Sequence, residues 1–460
     1  MRAFIVATGH RIAPFDEPPP LAAFAGSTVG EALQAALARR GIERVDVAAA
    51  DTVPELAEET LLLADTVFLS DKCLGDFLDV ALDVVAQGGA ARLALARTPS
   101  VDFTRPVSSV AVEPFDESGP GARARKPWRI EATATERCAY DAFLVAKRPA
   151  GGIFGALLDW LRGNATRVVV AKRELGIPLR LPVLGDAQAT RAVVPLTSTV
   201  AAHLEHWVHV LWLNQLAFGI RWMELARTHK AWMAWRVLVG APWTVPALMR
   251  SMVRRGKGVR IHPTAHVEAS ILGDGVVIGA RASVRNSILG DGAEVADHAT
   301  VISSTLGKNT YVTPRTFVVW SATYDDAVLT NYKLQVSLVG RGASLSTWAG
   351  LVDAKLQGTI DVLHQGRPVS TERSFLGSCI GHGAFVGAKV LLLPGRAVPN
   401  GAFIAMRPDE LVTEVPRELP AGVPLVREGG TLVPAARLGV GERPAARESS
   451  SSGLDQPPRG

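Results

Sequence analysis

The chain has 460 residues, and at roughly 150 residues per domain that length calls for two or three domains and excludes a single small module. Apolar residues make up 48% and charged residues 20%, while 43 Gly and 29 Pro are too few for a collagenous or low-complexity chain, so most of it should pack. The 49 Lys and Arg against 44 Asp and Glu give a net charge of +5 spread over both halves, which leaves room for anionic ligands and gives no ground for nucleic acid. Cys73, Cys138 and Cys379 are odd in number and far apart, which argues against a disulfide framework or a zinc cluster and for a cytoplasmic setting. The opening MRAFIVATGH is too short an apolar run for a signal peptide. The richest apolar stretch, 207–220, falls short of the roughly 20 residues a bilayer requires, so no transmembrane segment is expected.

Residues 3–8, AFIVAT, read as a strand, and 28–40 as a helix capped by Thr28 and stopped by Gly41. The alternation continues with a strand at 44–50, a helix over 53–63, a strand at 65–70, a helix over 74–86 and a strand at 91–96. Apolar strands alternating with amphipathic helices predict a mostly parallel α/β sheet with helices on both faces. ATRVVVAK and RAVVPLTS are expected to complete this domain, 1–200, as further strands. The polar stretch 115–129 reads as a solvated loop, the alternative being a loop beside an anionic ligand.

Residues 201–256 form a Trp-rich helical connector that holds six of the ten tryptophans. His203, His206 and His209 spiral off any one helical face, so a three-histidine metal site fits poorly. Helices that pack two domains together are the expectation, and peripheral contact with a membrane surface, helped by Arg250, Arg254, Arg255 and Lys257, is the alternative.

Aliphatic residues then recur at Val267, Leu272, Ile278, Val284, Leu289, Val295, Val301, Leu306 and Val312, in steps of five, six and six. The turns LGDG at 272–275, LGDG at 289–292 and LGKN at 306–309 are 17 residues apart. Each step points one aliphatic side chain inward and then turns, so three short strands close a coil, and coils stacked about 4.8 Å apart bury a continuous column. Residues 257–410 are therefore predicted to form a parallel β-helix with Leu272, Leu289 and Leu306 in one column. The rule returns at Ile380, Val386, Leu392, Val398 and Ile404, which leaves some coils plus an excursion for 319–379. The Pro-, Gly- and Ser-rich segment 411–460 buries too little apolar surface to offset its ordering entropy and is expected to be disordered.

An α/β domain followed by hexapeptide coils resembles the sugar-1-phosphate nucleotidyltransferases that carry a left-handed β-helix, over about 3–97 and 259–406. The resemblance implies a Rossmann-like nucleotidyltransferase-type domain and a homotrimer built through the coils. In that family the first strand runs into a loop of the kind A-A-G-x-G-T-R-M, whose N–H groups hold nucleotide phosphates, followed by a Pro-Lys-Pro-Leu-like element. Here Ala7, Thr8, Gly9 and Arg11 take the nucleotide-binding positions, the second glycine is missing, and Glu17-Pro18-Pro19-Pro20-Leu21 stands where the lysine element belongs. The family's metal-binding aspartate is matched by Asp71 in Phe68-Leu69-Ser70-Asp71, a candidate for Mg²⁺, with capping of the next helix as the alternative.

The run from Ser337 is similar to the acetyltransferase half of the bifunctional N-acetylglucosamine-1-phosphate uridyltransferase. Asp353 and Ala354 match, but Thr347 falls where that half has its histidine base and Ser344 where it has lysine; threonine cannot accept a proton near neutral pH. His364 and His382 are substitute base candidates, each with an ordinary solvated histidine as the alternative.

The leading expectation is a transferase-like protein of activated-sugar metabolism that takes a nucleotide or sugar phosphate. Its reaction would be in-line attack of the sugar phosphate on a nucleoside triphosphate, with Mg²⁺ at Asp71 and Arg11 stabilising the transferred charge. One alternative is an acyltransferase taking an acyl-carrier thioester along the coils, with His364 or His382 as base. The other is a non-catalytic structural or regulatory oligomer.

Overall fold

A computed structural model describes residues 1–115, 135–180, 191–240, 244–330, 332–418 and 422–438, and divides the chain into one compact unit over Met1–Ile404 and a second over Ala405–Gly460. The loop expected around 116–129 lies outside the described residues.

The N-terminal part runs β1 (Arg2–Ala7), α1 (Val29–Ala38), β2 (Glu43–Ala48), β3 (Thr60–Ala64), β4 (Val67–Leu69), α2 (Asp71–Val85), β5 (Ala90–Ala96), α3 (Pro99–Thr104), β6 (Glu136–Val145), α4 (Phe154–Asn164), β7 (Thr166–Val170) and β8 (Ala201–His203). The main sheet has the order β7-β5-β6-β3-β1-β2. It is mixed rather than parallel throughout, because β6 runs antiparallel to both β3 and β5. The helix expected over 53–63 is absent: Thr60–Ala64 is a fully buried strand between β1 and β6. Its unbroken apolar run, which reads equally as one side of a helix, fills both faces of a central strand.

α1 starts as its sequence requires, with Thr28 accepting from the Glu31 N–H and Glu31 returning a bond to the Thr28 N–H. β1 has a parallel neighbour on each side, β2 and β3, while α1 connects β1 only to β2. The crevice beyond its carboxyl end is thus where the winding of the sheet changes direction.

The connector divides into α5 (Trp207–Thr228), α6 (Lys230–Val239) and α7 (Val245–Ser251). α5 packs the two halves together. Trp207, Trp212, Leu213 and Leu216 share one core with Phe15, Phe24 and Phe68 from the α/β part and with Ile288, Leu338 and Leu376 from the coils. Arg373, half-buried, lies 4.0 Å from the ring centroids of both Phe103 in α3 and Trp212 in α5 and donates to the Phe103 carbonyl. Burial pulls its pKa down to about 9. α6, by contrast, buries nothing.

From Val253 the chain winds through three ladders of parallel strands. Leu272 pairs with Leu289 and Leu289 with Leu306, the predicted column. A second column runs through Ile278, Val295, Val312, Leu329, Leu345, Val386 and Ile404. These parallel ladders fit a left-handed β-helix. Two polar ladders explain the 17-residue motif. Asp274 and Asp291 at the turns accept from the backbone N–H of Lys257 and Asp274, one coil back, at 2.7 and 2.8 Å. The buried hydroxyls of Ser270, Ser287, Ser304 and Ser321 each accept from the next coil's N–H at 3.2 Å. Gly290 is required at its corner, since a Cβ there would lie 2.7 Å from the Lys308 nitrogen. The excursion is confined to the residues after Leu351 and contains the hairpin Asp361–His364 with Arg367–Ser370.

In the second unit, Leu425–Glu428 and Thr431–Pro434 form a hairpin across the pair Gly429-Gly430. The expectation of disorder over 411–460 does not hold for 425–434, where the aliphatic pairs Leu425-Val426 and Leu432-Val433 flank a glycine turn and form a local β-ribbon. Residues 439–460 lie outside the described set.

Candidate functional site

β1 delivers the turn Thr8–Gly9–His10–Arg11 to the carboxyl edge of the sheet. Gly9 adopts φ +78°, a left-handed conformation that glycine takes without strain, and no atom lies within 4 Å of where its Cβ would be. The His10 N–H donates to the Thr8 hydroxyl at 3.3 Å. The turn is held from behind by Asp65, which follows β3 and accepts from the Thr8 N–H at 3.0 Å and the Thr8 hydroxyl at 2.7 Å. Asp65 is buried and escaped the sequence reading. The signal for it is an acid directly after the apolar run Thr60–Ala64, which marks the end of a parallel strand once that run is a strand and not a helix.

The rest of the edge comes from two other segments. His10 Nε2 bonds the Glu205 carbonyl at 2.9 Å, and the Glu205 carboxylate accepts from the Ser109 N–H at 2.8 Å and from its hydroxyl. His364, at the end of the first hairpin strand of the excursion, stands edge-on to His206 at 5.4 Å between ring centroids. Burial lowers the His364 pKa and Glu205 opposes the shift. The structure thus brings Gly9, His10, Glu205 and His364 to one edge, although 354 positions separate His10 from His364 in the chain.

Arg11 is at this edge but points back along its own turn, paired with Asp16 at 2.6 Å with both side chains more than half exposed. An exposed pair of this kind is worth little and opens readily for an anion.

Asp71 stands elsewhere. It is the first residue of α2, behind Ser70, whose hydroxyl accepts from the Cys73 N–H and caps the helix. Its carboxylate is only 11% exposed and takes three guanidinium groups: Arg40 at 2.5 Å and Arg39 at 3.2 Å on one oxygen, Arg227 at 2.6 Å on the other. Burial works to raise its pKa, and the bonds and charges of Arg40, Arg227 and Arg39 override that and hold it below the ordinary carboxylate value. Three fixed cations around one carboxylate do not fit Mg²⁺, and no group of three or more His, Cys, Asp or Glu among the described residues could hold a metal. The role expected of Asp71 as a metal ligand is therefore replaced by an ion cluster that ties α1, α2 and α5. Gly75 makes room for it, since a Cβ there would meet Arg40 at 2.7 Å.

His382 is likewise not a free base. Its Nδ1 accepts from the Arg341 N–H at 2.9 Å, which leaves the proton on Nε2, 3.3 Å from Glu17 Oε2. Tyr324 donates its hydroxyl to the other oxygen of the same buried carboxylate, and Phe15 lies on the imidazole. Glu17, expected to stand at a ligand-binding element, is thus part of a joint between the two halves. The connector histidines are also explained. His206 is the residue before α5 and accepts from the Val208 N–H, while His209 Nδ1 accepts from the N–H groups of Glu205 and His206 and its Nε2 donates to the Pro106 carbonyl at 2.8 Å. Burial pushes both down to about 3.

Residues 242–346 match the sequence model of a family described as GlmU-like, C-terminal hexapeptide, so the coils are a hexapeptide-repeat domain. Among solved structures, a Bacillus cereus protein described as an acetyltransferase is 16% identical, with 31% of this chain and 78% of that chain covered and a TM-score of 0.16, a distance at which the likeness carries no argument. No curated protein matches the sequence. Among the described residues no helix is long and apolar enough to cross a membrane.

Proposed function

We propose that this chain is a transferase-like protein of activated-sugar metabolism that binds a nucleotide or sugar phosphate at the carboxyl edge of its α/β sheet and uses the hexapeptide domain to assemble a homotrimer. The observation that supports the reading is the turn after β1, a strand with a parallel neighbour on each side: a left-handed Gly9 with open space around it, its flanking Thr8 N–H held by Asp65 and His10 N–H by the Thr8 hydroxyl, and beside it Arg11, held only by exposed contacts to Asp16. His10, Glu205 and His364 surround it with groups that recognise sugar hydroxyls.

The geometry favours binding over phosphoryl transfer. No lysine follows the turn, and Asp71 is saturated by arginines. A second reading, a non-catalytic regulatory oligomer, is favoured by that same saturation and by the engagement of both His382 ring nitrogens. For acyl transfer from an acyl-carrier thioester, His364 is the candidate base of the two that is not engaged in the joint.

Calorimetry of the full chain with nucleoside triphosphates, sugar phosphates and nucleotide sugars tests the proposal. Binding should be metal-independent and should weaken by tenfold or more in Arg11→Ala. No binding by the parent, or equal binding by the variant, removes this site and leaves the oligomer reading.

A further inference from the structure

From Leu225 to Val267 the chain carries eight Lys or Arg and no Asp or Glu. α6 has no buried residue, and Trp235 and Leu238, four and seven positions after Ala231 and so on one helical face, are each 60% exposed. Val239 and Val245 continue this apolar surface at 49% and 69% exposure. Around it, among the described residues, none of Lys230, Arg236, Arg250, Arg254, Arg255 and Lys257 lies within ion-pair distance of a carboxylate. Trp232 stacks on Trp222 of α5 with ring centroids 6.1 Å apart and anchors α6, so the face is held out from the body of the protein.

Two concavities fit the same picture. A cleft of about 500 Å³ is lined by Leu225, His229, Trp232, Arg236, Arg254 and Arg255. Beside it, Ala226, Met233, Val237 and Leu238 line an apolar groove of about 520 Å³.

We propose that α6 and α7 dock the protein on an anionic lipid surface, with Trp235 and Leu238 inserted below the headgroups and Arg254 and Arg255 among the lipid phosphates. Charge complementarity selects this occupant. A second copy of the same face would set unpaired cations against cations, with no acid from 225–267 to neutralise them. A nucleic acid would satisfy the arginines and leave Leu238, Val239 and Val245 in water. An anionic bilayer satisfies both, since apolar side chains enter the acyl boundary while Lys and Arg reach to the phosphates.

The test is flotation of the full chain with vesicles of phosphatidylcholine alone or of phosphatidylcholine with phosphatidylglycerol. The parent should float with the anionic vesicles only, and 0.5 M salt should release part of it. R254Q/R255Q should lower partition about thirty-fold, from about 1 kcal/mol for each basic residue at an anionic surface, and W235S/L238S should lower it by at least tenfold. Trp235, Leu238, Arg254 and Arg255 are exposed, so both variants should melt like the parent and keep its light-scattering mass. The proposal is overturned if the parent floats with neither vesicle or equally with both, or if both variants float like the parent. It is also overturned if W235S/L238S changes the oligomeric mass and leaves flotation unaltered, which would make the face a contact between copies. Loss of oligonucleotide binding in R254Q/R255Q with unchanged flotation would assign the patch to nucleic acid.

Discussion

Replacing Asp71 by Asn separates the two roles open to this residue. Asn keeps the shape and one acceptor oxygen but removes the charge that faces Arg39, Arg40 and Arg227. The Arg40 pair is the most enclosed, with side chains 24% and 11% exposed, while Arg39 and Arg227 are 41% and 37% exposed. Removing one partner of a fully buried pair costs about 3–5 kcal/mol and an exposed pair is worth about 0–1 kcal/mol. Counting the Arg40 pair as intermediate at about 2 kcal/mol and the other two at about 0.5 kcal/mol each gives a loss of about 3 kcal/mol. At roughly 2–4 °C per kcal/mol for domains of this size, the first melting transition should drop by several degrees. Because the folded-state pKa of Asp71 is depressed, its stabilisation is present above about pH 4 and is lost as pH falls through the lower folded value. The gap between parent and variant should therefore close in acid. Thermal melts from pH 7 to pH 3, each with and without Mg²⁺, provide the measurement. A variant that melts like the parent at neutral pH, or a parent stabilised by Mg²⁺ through Asp71 alone, would refute the ion-cluster account.

Leu289→Ala should destabilise the coils by about 2–5 kcal/mol through the cavity it leaves between Leu272 and Leu306, and Leu289→Asp should prevent their folding, both read by circular dichroism melts. His206 and His209 are held neutral in the fold while the unfolded chain protonates near pH 6.5, so urea unfolding should show about 3 kcal/mol less stability at pH 5.5 than at pH 7.5, with His203 and His364 adding in the same direction; a flat profile would exclude their burial. Glu17→Ala leaves Tyr324 and His382 without their shared acceptor and should cost about 1–3 kcal/mol, with faster hydrogen exchange on both sides of the joint. Light scattering should give about three times the chain mass, and a monomer at micromolar concentration would contradict the trimer.

The coils were legible because their physics is one-dimensional. Each strand contacts its equivalent 16 to 18 residues away over most of the ladder, so spacing alone placed Leu272, Leu289 and Leu306 in register. Capping chemistry likewise announced the start of α1. Position in the sheet was harder to read. The run Thr60–Ala64 has no period that separates a buried central strand from a helix, and only as a strand does it place the strand-end acid at Asp65 rather than Asp71. The joints could not be read at all: Glu17 meets His382 across 365 positions and Arg105 meets Glu372 across 267.

Those joints change what the two halves can do separately. The excursion that delivers His364 to the sheet edge is fixed by Arg373, whose guanidinium lies against Phe103 and Trp212 and donates to the Phe103 carbonyl. His206 adds a bond to the Leu363 carbonyl at 3.2 Å, next to His364 itself. α5 is the common wall, because its first residues cap against the hairpin while its middle fills the core shared with the coils. A ligand at Gly9 that also touched His364 would therefore bind to both halves at once, and ordering the edge would tighten the joint. The same linkage runs in reverse: loosening Arg373 or Glu17 should weaken the ligand even though neither residue lies at the turn.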